Sequence, residues 1–347
     1  MLQPNGEFYY PETVSTVPVP IDGDIAIPLG TQGSTTTLVI PGWISAARVW
    51  VSQGTLQFFT MQSGNQTWSL VEPSVVSQTD PNIDVEFGFV ELTNDATLGL
   101  YVNISYVDFV GLAVGISVTT TSNQTQTVSG LSQESVPQIC ADLQAQEATD
   151  GYPWGDLCVT NSSTAELVRI LSPGNHIAIN STAFSDYWTS YVDEVWLKYA
   201  SEPLVINTQA SAGNVSCTVS GDELICAGSS RTYAMPAAAD IFSCSTGPFE
   251  IASTDNDIHL GVVPRLCAAI NRSTLLLAGG NVQPALLESQ YYSVSTTNHY
   301  SRIVHAHSAN GVGYAFSYDD VVPDGGVDES GLIAVSDPSL LAVTVQS

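Results

Sequence analysis

Residues 85–110 read VEFGFVELTNDATLGLYVNISYVDFV, and their alternation decides the fold class. Val85, Phe87, Phe89 and Glu91 fall on one face of a strand; Leu98, Leu100, Val102, Ile104, Tyr106 and Asp108 fall on one face of the next. Two acids therefore interrupt otherwise apolar stripes. A carboxylate in such a place has either reached water or is held where its proton affinity is useful. Two of them in one hairpin suggest a pair.

The turn determines whether they can meet. A turn at Asn94-Asp95 would leave Asp108 about 30 Å beyond the partner of Glu91. A type II′ turn at Gly99-Leu100 places Glu91 directly across from Asp108, because that turn wants glycine first. A bent strand with a wide loop from Asn94 to Gly99 achieves something similar. The alternation alone favours reading both acids as ordinary rim carboxylates. Glu86, two pleats away among polar neighbours, reads as solvated surface.

Upstream, segments 24–28, 36–40, 48–52, 55–60 and 67–72 carry β-branched or aromatic residues between Gly, Pro, Asn and Ser. With the hairpin and 111–119 they predict an antiparallel sandwich or barrel. A Ser/Thr-rich turn follows at 119–129. Val136, Ile139, Cys140 and Leu143 then recur at helical spacing, as do Ala165, Val168 and Arg169. A helix over 185–199 is expected from the apolar face of Trp188, Tyr191, Val192, Val195, Trp196 and Tyr199, and another over 264–273. Strand patterns return at 302–307, 312–316, 332–335 and 341–345. The chain thus reads as a mainly β fold, 1–128 and 293–347, with a mixed α/β, disulfide-linked insertion at 129–292 and a wide cleft between them.

Charge and cysteines bound the setting. With 34 acidic residues against 7 basic ones, the formal charge of −27 repels nucleic acid and anionic membranes but not a neutral polymer. No apolar run is long enough to span a membrane. Six cysteines without metal-type spacing suggest an oxidising exterior. Sequential pairing is expected: Cys140 with Cys158, Cys217 with Cys226, Cys244 with Cys267. Each short loop would contribute about 2 to 3 kcal/mol in the chain-entropy view. Sequons at Asn65, Asn123, Asn161, Asn180, Asn214 and Asn271 point to a secretory route, and a further one at Asn103 is expected to stay bare. A mature, extracellular monomer with an added Met1 is the expectation.

The segments Glu91-Leu92-Thr93 and Tyr101-Val102-Asn103-Ile104-Ser105-Tyr106-Val107-Asp108 are similar to glycoside hydrolase family 64. So are Thr297-Asn298-His299-Tyr300 and Gly313-Tyr314-Ala315-Phe316-Ser317-Tyr318-Asp319-Asp320. This family of β-1,3-glucanases has a thaumatin-like architecture. The resemblance implies a secreted endo-β-1,3-glucanase that inverts the anomeric centre and releases short laminari-oligosaccharides such as laminaripentaose. Glu91 would be the general acid and Asp108 the general base. Thr93, Asn103, Ser105, His299, Tyr300, Tyr314, Tyr318, Asp319 and Asp320 would line the sugar subsites. No cofactor is needed for that chemistry. Plant thaumatin-like proteins show similar spacing but many more cysteines, and some bind glucan without hydrolysis, so a non-catalytic glucan-binding wall or defence protein is the alternative.

Other chemistries find little support. His305 and His307 would share a strand face and could hold zinc with Asp319, yet a structural pair is the commoner arrangement and no metal is expected. The acidic loop 319–329 lacks the order of a calcium loop. No nucleophile elbow, phosphate loop or dinucleotide fingerprint is present.

Overall fold

Alternation makes the strands of this chain, and turn chemistry sets their register. The structure, a computed structural model, describes residues 1–64 and 67–346. The first third forms β1 (Val19–Pro20), β2 (Ile44–Ser52), β3 (Phe59–Ser63), β4 (Thr67–Val71), β5 (Phe87–Asp95), β6 (Gly99–Ile104), β7 (Phe109–Val110), β8 (Val114–Thr120) and β9 (Thr125–Val128). The middle begins with α1 (Ser135–Asp150), β10 (Cys158–Thr160), β11 (Leu167–Leu171), α2 (Pro173–Ile179) and α3 (Thr189–Tyr199). It continues with β12 (Leu204–Asn207), β13 (Asn214–Ser220), β14 (Glu223–Cys226), β15 (Tyr233–Ala234), α4 (Ala238–Ser243), α5 (Asp257–Asn271) and β16 (Val282–Gln283). The end supplies α6 (His299–His307), β17 (Ile333–Val335) and β18 (Pro338–Val345).

Five small sheets result: β17-β6-β5-β2, β18-β8-β9, β1-β3-β4, β10-β11-β7 and β15-β14-β13-β12-β16. The two C-terminal strands pair with β6 and β8, so the end of the chain joins sheets built by its first third. Val90, Leu92, Leu100, Val102 and Ile104 point inward from β5 and β6 toward Ile116 and Val118 of β8. That cluster runs on without interruption through Trp154, Trp188, Trp196, Tyr233 and Ile270. The other face of β5 packs Phe87 and Phe89 on Phe109 and Leu171 in a second cluster. Full burial of one such ring stabilises by about 1.5 to 3 kcal/mol.

The β5–β6 hairpin settles the turn. Asp95 pairs with Gly99 around the three residues Ala96, Thr97 and Leu98, and Glu91 pairs with Asn103. The Asp95 carboxylate accepts the amides of Thr97 (2.7 Å) and Leu98 (2.9 Å), and Gly99 takes φ +85°. This is the three-residue loop closed by a left-handed glycine, which overturns the type II′ register. A Cβ at Gly99 would collide with the carbonyl of Val335.

Several expected elements differ. Residues 24–28 and 36–40 are irregular and mostly exposed, because no strand pairs with them and their β-branched residues have nothing to pack on. Residues 165–169 do not form a helix; β11 is a strand because it pairs with both β7 and β10 and carries buried Arg169 to the carbonyl of Val85. Residues 302–307 belong to a helix, α6, started by the Asn298 side chain accepting the Ser301 amide at 3.1 Å. Only an isolated bridge from Tyr314 to Ser105 stands where a strand over 312–316 was expected. The helix α5 begins at Asp257 under an Asn256 cap, with Pro264 inside it.

The three disulfides join Cys140 to Cys158, Cys217 to Cys226 and Cys244 to Cys267, the sequential order. Among the sequons, Asn123, Asn180 and Asn214 are exposed and Asn161 is half-buried. Asn65 lies outside the described residues. Asn271 is a correction: it is fully buried, and its amide donates to the carbonyls of Ile241 (2.8 Å) and Cys267 (3.1 Å). No glycan fits there.

Candidate active site

A regular continuation of β6 would separate the two acids. Ile104, Tyr106 and Asp108 share parity with core-facing Val102, whereas Glu91 pairs with Asn103 on the other face. The chain instead leaves the pleat after Ile104. Ser105 bridges to Tyr314, and the Tyr106 amide donates to the Tyr314 carbonyl at 2.7 Å. Buried Tyr300 donates its hydroxyl to the Tyr106 carbonyl at 2.6 Å, and the Tyr106 hydroxyl accepts the Leu131 amide at 3.0 Å. Beyond the bend, the Asp108 carbonyl accepts the Ser172 amide (3.0 Å) and the Asn175 side-chain amide (2.9 Å). The backbone of Asp108 is thus held at both sides of the bend.

Arg48 of β2 joins the acids. β2 runs antiparallel to β5 with Arg48 opposite Glu91, and a bulge lies between Ile44 and Ala47. The Arg48 Nε and Nη2 donate to Glu91 Oε1 at 3.1 and 2.9 Å, and Nη1 donates to Glu72 Oε2 at 2.8 Å. Nη2 also lies 3.7 Å from Asp108 Oδ2. The two catalytic candidates therefore have oxygens at 2.9 and 3.7 Å from one nitrogen, so those oxygens are separated by at most the sum, about 6.6 Å.

The guanidinium rests on the Phe89 ring, 4.4 Å from its centroid. Burial disfavours its charge, but the hydrogen bond and charge of Glu91, with Glu72 and Asp108, outweigh this and hold it above the ordinary arginine value. Desolvation, reinforced by Glu91, pushes the Asp108 carboxyl above the usual range against the pull of Arg48.

Beside Arg48 a concavity of about 410 Å³ is lined by Ala46, Ala47, Arg48, Glu72, Glu91, Leu92, Thr93, Tyr101 and Asn103; Asp108 is tied to it through Arg48 and is not part of its lining. Its size suits a sugar-length ligand. The Thr93 hydroxyl is committed to the Ala46 amide at 3.0 Å and so shapes the wall. Ser105 is buried at the bend. A second concavity, about 490 Å³, lies beside Asp150, Tyr152, Asn180 and Asp186. It holds neither candidate acid, and Asp150 is already taken by Trp154, Gln146 and the Tyr152 amide.

The C-terminal group expected to line sugar subsites divides differently. His299 is buried; it accepts from Arg302 at 3.0 Å and bonds the Ser295 carbonyl at 3.0 Å. Desolvation, with Arg302 nearby, lowers it to about 4, so its imidazole is neutral. Tyr300 is fully buried and shapes the bend, not the groove. Asp319 is fully buried in ion pairs with Arg272 (3.0 Å) and His305 (2.8 Å). Tyr314 and Tyr318 are half-buried and Asp320 is exposed, all outside the groove lining.

His305 and His307 sit on a helix; His307 faces Asp142 at 2.7 Å. They do not converge because the helix turns them apart to different acids.

Sequence reasoning missed Arg48, Glu72, Tyr101 and Asn175. One signal was available: an arginine is scarce in so acidic a chain, and Arg48 interrupts an alternating strand.

This chain is similar to several known proteins. A glucan endo-1,3-beta-glucosidase of Cellulosimicrobium cellulans is 29% identical over 284 residues, covering 80% of this chain and 48% of that protein. One from Arthrobacter sp. (strain YCWD3) is 28% identical with the same coverage. The chain spans about half the length of these two relatives. Among solved structures, a laminaripentaose-producing β-1,3-glucanase in complex with laminaritetraose superposes with a TM-score of 0.84 at 28% identity, covering 99% of this chain and 90% of that one. A β-1,3-glucanase domain from Clostridium beijerinckii shares the fold, with a TM-score of 0.69 at 21% identity over 87% and 75% of the two chains. The family profile described as Beta-1,3-glucanase matches residues 1–345, so this chain belongs to glycoside hydrolase family 64.

Proposed function

We propose that this protein is a secreted endo-β-1,3-glucanase that hydrolyses β-1,3-glucan at the groove between β2, β5 and β6. The observation that carries the reading is the convergence of Glu91 and Asp108 on Arg48, which together with Glu91 lines a concavity of about 410 Å³. Glu91 gives its proton to the leaving glycosidic oxygen, and Asp108 takes a proton from a water that attacks the opposite face of the ring. Inversion calls for carboxyls about 6.5 to 9.5 Å apart; the Arg48-bound oxygens lie at most about 6.6 Å apart, so inversion rests on the family and on the product anomer, not on this bound. Products would be short laminari-oligosaccharides such as laminaripentaose.

Three features support the choice of substrate. A neutral polysaccharide meets no repulsion from a chain of net charge −27. Tyr101 pairs with Thr93 one step from Glu91 and offers a partly exposed ring to a pyranose. Asn103, directly across from Glu91, can bind sugar hydroxyls, and its place in the groove argues against a glycan on that sequon. The three disulfides support an extracellular location. We also propose a thaumatin-like β-part of 1–128 and 293–347, an insertion at 129–292, a wide cleft between them, and a monomer. The pairing of β17 and β18 with β6 and β8 supports the closure of that β-part.

The test is release of reducing ends from laminarin or curdlan, comparing wild type with Glu91→Gln and Asp108→Asn. Activity confined to the wild type supports the reading; equal rates in all three would end it and favour plain glucan binding. Proton NMR of the first product reports inversion by the appearance of the α anomer.

A further inference from the structure

Three carboxylates share one cation in this groove, and only two of them have a place in the reaction. Glu72 follows β4, a strand of the β1-β3-β4 sheet, whereas Arg48 and Glu91 belong to the β17-β6-β5-β2 sheet. Its Oε2 nevertheless takes Arg48 Nη1 at 2.8 Å while Nε and Nη2 serve Glu91. We propose that Glu72 is a positioning residue that competes with Glu91 for Arg48 and so sets the proton state of the catalytic pair. This inference rests on the reading of Glu91 and Asp108 as that pair.

The physical reason is charge balance. One guanidinium cannot neutralise three carboxylates, so the set carries excess negative charge whenever all are ionised, and protonating one member relieves it. Around Glu91 are Arg48 from β2, Glu72 beyond β4, Asp108 at the bend and Tyr101 of β6, which lines the same groove; Tyr300 stands behind Asp108. Two hydrogen bonds from Arg48 to the single oxygen Oε1 favour a charged Glu91, which cannot donate a proton. Glu72 opposes that hold twice, by its own charge and by occupying Nη1. The Phe89 ring under the guanidinium keeps it in place while its hydrogen bonds redistribute.

The signature is a pair of opposite shifts in the pH profile of kcat/KM. Glu72→Gln removes a negative charge, so the general acid loses its proton more readily and the alkaline limb moves to lower pH, by about 0.5 to 1 unit. Arg48→Gln removes the cation and moves the same limb to higher pH, with a lower maximum rate because both acids lose their anchor. Glu72→Asp, which keeps the charge, returns the limb toward its wild-type position. Near-ultraviolet circular dichroism on each variant establishes that it is folded. An alkaline limb unmoved in Glu72→Gln, or moved the same way by both neutral variants, overturns the proposal while leaving the catalytic pair intact. Wild-type activity in Glu91→Gln would remove the pair and this proposal with it.

Discussion

Arg48 and Arg272 each gather carboxylate partners above aromatic rings, but Arg48 keeps 27% of its side chain exposed and Arg272 only 3%. Around Arg272 every contact closes inward: Asp319 gives it one oxygen at 3.0 Å, and the other oxygen takes His305 (2.8 Å) and the Ala315 amide (2.8 Å). The Val321 and Asp319 carbonyls also accept from its terminal nitrogens. Around Arg48 the side chains of Glu91 and Asp108 stay 35% and 43% exposed, and Glu91 lines the groove. The same residue types thus make a clasp in one place and a reaction site in the other. Access for a ligand separates them, not composition.

The comparison breaks most sharply under conservative neutralisation of the acids. Glu91→Gln and Asp108→Asn should each lower kcat on laminarin by about 10² to 10⁴-fold, the usual range for a general acid or base, with a melting temperature close to wild type. Unfolding of either variant would show that the groove acids are structural after all. Asp319→Asn should do the reverse: a loss of about 3 to 5 kcal/mol in urea unfolding, because it strands a buried arginine, with activity per folded molecule retained. Selective loss of activity at full stability would place Asp319 back among the sugar contacts.

Acid and base dependence sharpens the contrast. Burial works against the charge on His305, but the Asp319 carboxylate outweighs it and raises the imidazole above its ordinary value. A raised folded value means the stabilisation is complete below about pH 6.5, the unfolded histidine value, and fades as pH rises through the higher folded value. Burial likewise disfavours charged Asp319, yet His305 and then Arg272 outweigh it and lower its carboxyl. Its contribution is present above about pH 3.9 and is lost as pH falls through the folded value. Melting temperature should therefore decline on the alkaline side of pH 6.5, and His305→Gln should flatten that decline. A parallel curve in the variant would disprove the link.

The smallest expected effect is at Tyr101. Its replacement by alanine should raise KM for laminarin about 3- to 10-fold and leave kcat within about twofold, as befits stacking worth about 0.5 to 1.5 kcal/mol. An unchanged KM would remove the ring from the binding surface.

How legible these features were depended on how local their causes are. The strands β5 and β6 follow from alternation that any window of residues displays. Helix α3 is equally local, since Trp188, Tyr191, Val195 and Trp196 mark one buried stripe. Residues 302–307, by contrast, carry too short an apolar run to separate the two periods, and the Asn298 cap together with the buried side chains Tyr300, Ile303 and Val304 decides for helix. Asn271 has the signature of a glycan acceptor, but a sequon reports three neighbours and says nothing of the Ile241 carbonyl that claims the amide.

The sequence alone determined that this is a mainly β, acidic, disulfide-bearing chain with two conspicuous carboxylates, because periodicity, charge and cysteine number are local or additive. That Glu91 and Asp108 meet was left to the tertiary structure. Tyr300 and Tyr314 must arrive from the far end of the chain to bend it after Ile104, and β2 and β4 must bring Arg48 and Glu72 to the same groove. A pleat continued by its own local preferences would have sent the second acid to the wrong side of the sheet.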